Sequence, residues 1–258
     1  GNMKNRYPME AFALVMIIFT QNMRVALITG ILLLFLTTLG HVIDELFLSR
    51  LPFWSRNSCT IILMVSFSYS IFHIVIRGIL GYTMDNTDYI FHIFLGILIA
   101  NHIINKEGKQ DYNRLLFEGA GAYAIMLLIS IIREFMTNGS IYGYEIGEFT
   151  FTSDGFSKVA IGFILTAIGI AILNKIYGYK NIKTRSILVT LPVVLLIRPI
   201  EIRGIESSLG ILLSIIIALI LIYSVKKYLV FSKLSKEIKY LPADLMSTGM
   251  IYMILSMF

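Results

Sequence analysis

The sequence predicts an all-α membrane protein of about nine transmembrane helices. Three observations predict it. Of 258 residues, 57% are hydrophobic and 15% are charged, against about 45–50% apolar and about 25% charged in a soluble domain. The mean hydropathy is +0.78 across the whole chain. Apolar runs close to the roughly 17–25 residues that a spanning helix needs recur along its length. This composition excludes a disordered chain, a disulfide scaffold and an ordinary cytosolic enzyme. The expected surroundings are a lipid bilayer, with no nucleic-acid partner. The charged start Lys4-Asn5-Arg6 runs into apolar sequence without a small-residue cleavage site, so no cleaved leader is expected.

In order, the predicted spans are 9–22, 24–47, 56–79, 88–104, 112–137, 155–177, 186–198, 207–223 and 241–258. The first and seventh are too short to cross as regular helices and read as broken or half helices. Such irregular backbone survives at membrane depth only where protein or a cavity covers it. The connections support this count. Arg50 and Arg56 lie in the second, Lys106, Lys109 and Arg114 in the fourth, and Lys175, Lys180, Lys183 and Arg185 in the sixth. Lys226, Lys227, Lys233, Lys236 and Lys239 lie in the eighth. The acidic residues Asp85, Asp88, Glu145, Glu148 and Asp154 fall between them. Because positive loops stay on the cytoplasmic side, the N-terminus is expected in the cytoplasm and the C-terminus outside the cell membrane.

Ionisable residues at membrane depth are costly, which makes each a candidate site. His102 follows Asn101 near the end of the fourth span. It reads as a cap at a helix end, with a ligand or proton-relay role as the alternative. His92 lies ten residues away, so one helix does not present both to a single metal or haem. His41, Asp44 and Glu45 close the second span and read as a solvated helix end, the alternative being a cation site. Arg133-Glu134 precedes Asn138-Gly139, a helix terminus with a glycine stop. Arg198, Glu201, Arg203 and Glu206 are balanced in sign and read either as mutual pairs around a polar cavity or as a surface turn. The single cysteine, Cys59, reads as a small core residue. No phosphate loop, dinucleotide fingerprint, zinc-protease motif or nucleophile elbow occurs.

Two stretches carry a family resemblance. Tyr89-Ile-Phe-His-Ile-Phe-Leu-Gly-Ile-Leu-Ile-Ala-Asn-His102 resembles the fourth span of the small integral subunits of the Rnf complex and the sodium-pumping NADH:quinone reductase (the RnfA/RnfE and NqrD/NqrE type). Glu118-Gly-Ala-Gly121, leading to Ile132-Arg-Glu-Phe-Met-Thr-Asn-Gly-Ser-Ile-Tyr-Gly143, resembles the next span and its exit. The resemblance covers about residues 7–178. It implies six helices in two inverted triplets, the first helix of each broken at the membrane centre, an arrangement that commonly frames a midplane site. It also implies an electron-carrying role, with one cysteine from each broken helix sharing a two-iron cluster. Here the cysteine positions fall near Leu14 and at His102, and the usual proline is Gly96. Leucine cannot ligate iron, so no cluster and no other cofactor or metal is expected.

Residues 1–178 therefore form an Rnf/Nqr subunit-like six-helix domain. Residues 179–258 form an additional three-helix segment, read as a possible third repeat on Leu191-Pro-Val-Val-Leu-Leu-Ile-Arg198 and Leu241-Pro-Ala-Asp-Leu-Met-Ser-Thr-Gly249. The expected function is a membrane subunit of an ion-translocating electron-transport complex in a structural, ion-path or partner-docking role, beside other membrane subunits. The alternative is a transporter or small-molecule-binding module on the same fold. A non-catalytic subunit or transporter is favoured over an enzyme. The ligand- or ion-path candidates are His102, Asn101, Arg133, Glu134, Glu118, Arg198 and Glu201.

Overall fold

The computed structural model describes residues 7–105, 111–147, 151–179, 186–197, 207–228 and 240–255. Helix accounts for 85% of these. The α-helices are α1 (Met9–Ile18), α2 (Met23–Leu46), α3 (Phe53–Phe72), α4 (Asn86–Ile104), α5 (Tyr112–Asn138), α6 (Val159–Tyr177), α7 (Ser186–Ile197), α8 (Ser207–Tyr228) and α9 (Ala243–Leu255). Five stretches are long and apolar enough to cross a membrane: Met23–Arg50, Phe53–Ile79, Thr87–Ile104, Tyr112–Asn138 and Val159–Tyr177. The chain is a multi-pass, all-α membrane protein.

The two spans read as short are short. α1 has 10 residues and α7 has 12, the latter with Pro192 inside it. At 1.5 Å per residue α1 reaches only about 15 Å, half of a bilayer core of about 30 Å. It lies at the centre of the bundle, touching α2, α4, α5, α6 and α7. Residues 11–17 are each no more than 1% exposed. A helix that is apolar on every side has no solvent or lipid face to present, so burial all round is its stable position. Its end is set locally: the Thr20 hydroxyl donates to Met16 O at 2.5 Å. A 3₁₀ turn (Phe19–Gln21) follows, and Asn22 then caps α2 by accepting from the amides of Arg24 and Val25.

The expected break in the fourth span is absent. α4 runs continuously through Gly96. A Cβ built there would lie 2.6 Å from Val65 Cα and 2.7 Å from Met64 O. Glycine therefore lets the α3 and α4 backbones touch rather than breaking the helix, and these two helices share the most extensive contact in the molecule. Gly96→Ala must push the backbones apart. The expected cost is about 1–3 kcal/mol, typical of overpacking. Thermal unfolding in detergent measures it, and an unchanged midpoint would mean that α3 and α4 separate freely.

Side-chain contacts between helix ends fall into two groups, as an alternating up-and-down bundle requires. One group joins the start of α1, the end of α2, the starts of α3 and α5, and the ends of α4 and α6. The other joins the end of α1, the start of α2, the end of α3, the starts of α4 and α6, and the end of α5. After α5, Gly139 adopts the left-handed conformation (φ 67°) and its amide donates to Phe135 O, the expected glycine stop. A two-stranded hairpin pairs Ser140 with Glu145 and Ile141 with Tyr144. Part of the basic stretch 226–240 continues α8 as far as Tyr228; residues 229–239 lie outside the described residues.

Candidate functional site

Glu118 and Arg133 lie fifteen residues apart on α5, about 22 Å along its axis and within about 60° of one face. Both are buried, at 1% and 0% exposure. Each gathers the polar groups of one end of the bundle.

Arg133 uses its whole planar fork. Nε donates to Phe156 O at 3.1 Å. Nη1 donates to Ile17 O at 2.8 Å and to the Thr20 hydroxyl at 2.9 Å. Nη2 donates to Ser157 O at 2.9 Å and Lys158 O at 3.3 Å. The carbonyls are those left over where α1 stops and where α6 has yet to begin. Gly162 makes room for this: a Cβ there would lie 2.5 Å from Ile17 O and 3.2 Å from Arg133 Nη1. Next to it, the Glu134 carboxylate accepts from the Met23 amide at 2.7 Å and the Gly143 amide at 2.6 Å. It satisfies a free N–H of α2 and favours that helix's positive end. Arg24 closes the corner, with Nε donating to Tyr142 O and the guanidinium 5.0 Å from the Tyr142 ring centroid. Arg133 is thus neither a snorkelling side chain nor an ion-path group. It is a staple.

At the other end the Glu118 carboxylate accepts from the Tyr179 phenol through both oxygens, at 2.6 Å each, and from Arg114 Nε at 2.7 Å. Tyr177 donates to Glu118 O at 3.1 Å. Tyr7 packs edge-on against Tyr177, with ring centroids 6.3 Å apart. Its hydroxyl is buried and has no hydrogen-bond partner among the described residues. Burial, reinforced by Tyr177 and Glu118, holds the Tyr7 phenol well above its ordinary range, so it stays protonated.

The third group lies on the same side. The His41 and His102 rings meet edge-on, with centroids 5.4 Å apart. Asp44 forms a bidentate pair with Arg56 at 2.9 and 2.7 Å, and Tyr112 donates to Glu45 at 2.9 Å. The solvated-end reading is corrected here. His41 and Asp44 are buried because α3 and α4 pack over the end of α2, and only Glu45 is exposed. Asn101 accepts from the Asn105 side chain at 2.7 Å through its carbonyl and 2.8 Å through its amide oxygen, terminating α4. His92 sits at the opposite end, stacked between Phe72 and Phe19. Cys59 is half-buried near Ser55, not in the core. Arg198, Glu201, Arg203 and Glu206 lie outside the described residues.

The structure brings Arg133 and Glu134 together, places Glu118 at the other end of α5, and sets His102 against His41 on α2. It also shows partners that sequence reading missed: Thr20, Tyr7, Tyr179 and the Asp44–Arg56 pair. Only Arg114 and Glu118, four residues apart on one helix face, carried a local signal. Among the described residues no group of three or more His, Cys, Asp or Glu side chains is placed to hold a metal ion. Leu14 is fully buried within the apolar run of α1 and offers no donor atom. The residues at the two family cysteine positions therefore do not fit an iron–sulfur cluster. No protein-family model, curated protein or solved structure matches the chain.

Proposed function

We propose that the chain is a membrane subunit similar to those of Rnf/Nqr-type ion-translocating complexes, and that it serves a structural and partner-docking role instead of carrying electrons. In this reading nine spans form three alternating triplets, with residues 185–258 as the third. The N-terminus and the Glu118 end face the cytoplasm, and the C-terminus lies outside. The half-length α1 and α7, each opening a triplet, support that arrangement.

The observation that carries the role is α1 itself. The segment where the family would supply a thiolate is a sealed apolar rod, and the buried charges around it are hydrogen-bonded to helix ends. An ion or substrate path needs polar groups facing a cavity; Arg133 and Glu134 face backbone carbonyls and amides.

Purification from native membranes in mild detergent tests this reading. Iron and acid-labile sulfide are quantified, and co-purifying chains are identified by mass spectrometry. Other membrane subunits are expected, with iron far below one atom per chain. Stoichiometric iron and sulfide bound to this polypeptide would overturn the cluster-free assignment. Recovery of the chain alone, with a small molecule bound in the bundle, would favour a transporter.

A further inference from the structure

The outer corner of α3 and α4 has no part in the staples described above. After Phe72, α3 continues as a π-helical segment, His73–Ile79, ending with the Leu80 amide donating to Val75 O at 3.0 Å. Such wide turns recur at functional positions. In a regular α-helix each four-residue step turns a side chain about 40°, so Tyr69 and Arg77 would diverge by about 80°. A wide i→i+5 turn of roughly 4.4 residues takes the second step back by about 30°. Tyr69, His73 and Arg77 consequently form one column.

That column faces α4. Tyr69 stacks on His73, both rings contact Tyr89, and Arg77 Nη1 donates to the Tyr89 hydroxyl at 3.1 Å. The His73 Nδ1 atom is buried without a hydrogen-bond partner among the described residues, and Arg77 is exposed. One residue around the same segment, Ile76 and Leu80 join Val25, Ile28 and Tyr82 in lining a shallow recess of about 10 Å³. Its neighbours on the segment, Ile74 and Ile79, are 57% and 72% exposed.

We propose that this corner binds an anionic phospholipid of the leaflet it faces. The Arg77 guanidinium and the His73 ring hold the phosphodiester, Tyr89 orients Arg77, and the recess receives the upper part of one acyl chain. The apolar half selects a lipid over free phosphate, since a soluble anion gains nothing from Ile76, Leu80 and Val25. The cation selects a phosphate-bearing lipid over an uncharged diacylglycerol.

Native mass spectrometry of the full chain in detergent tests this with three probes: phosphatidylglycerol, diacylglycerol with the same chains, and inorganic phosphate. Phosphatidylglycerol is expected to be retained and the other two to be lost. Arg77→Gln should weaken phosphatidylglycerol binding about tenfold, the effect of one charge-assisted hydrogen bond. Leu80→Trp, which fills the recess and leaves the cation, should also weaken it, keeping the test decisive if the first variant folds poorly. Wild-type retention by both variants would overturn the proposal. So would inorganic phosphate bound as tightly as the lipid, which would make this a free-anion site, or diacylglycerol bound as tightly, which would leave the column no role.

Discussion

Arg133→Leu is expected to destabilise the protein by about 3–5 kcal/mol, the range for breaking a buried charged network. The substitution removes every donor that reaches the carbonyls of Ile17, Phe156, Ser157 and Lys158. At membrane depth no water replaces those donors, so the orphaned carbonyls carry their full desolvation cost. The Thr20 hydroxyl also loses its link to α5. Arg133→Lys should recover only part of the loss, because one ammonium cannot reproduce a fork that spans three helix ends. Unfolding in detergent, followed by circular dichroism against increasing denaturant, measures both variants. Equal midpoints for wild type and Arg133→Leu would mean that the carbonyls are satisfied without the arginine.

The second large effect is expected at the opposite end. Glu118→Ala takes away the acceptor for the buried Tyr179 phenol, and the expected loss is about 2–3 kcal/mol. Arg114 contributes little to this figure, since its side chain is 37% exposed and can turn to water. Glu118→Gln keeps an oxygen for Tyr179 and should cost less than Glu118→Ala. A double-mutant cycle with Tyr179→Phe separates the terms: Tyr179→Phe should be markedly less costly in the Glu118→Ala background than in wild type. Strict additivity would mean that the carboxylate and the phenol act independently, against the 2.6 Å contacts.

These two residues frame what makes the bundle unusual. α1 reaches about half the thickness of a bilayer core, yet its flanks meet polar anchors: Tyr7 lies beside the Glu118 cluster and Thr20 bonds to Arg133. α5 holds those anchors about 22 Å apart. A short helix that leaves unpaired carbonyls inside the protein needs a donor at that depth, and Arg133 supplies five hydrogen bonds there.

The helices themselves were legible because lipid imposes one dominant rule, that long apolar runs become helices. α2, α4 and α5 begin or end within about two residues of the expected limits, where capping residues Asn22, Asp85 and Asp111 stand. The shortness of α1 and α7 was legible by length alone. The reading of Gly96 as a break was not sound, because a glycine that breaks a helix and one that admits a neighbour look alike until Val65 is seen beside it. His41 and Asp44 were likewise read as solvated from their place near a helix end, whereas α3 and α4 cover them.

By itself the sequence determined that this chain crosses a membrane several times as helices, because composition and run length act residue by residue. Tertiary structure alone decided what the charges do. Whether Arg133 meets water, an ion or five oxygen acceptors depends on helix ends more than a hundred residues away in the sequence, brought alongside only when the bundle closes.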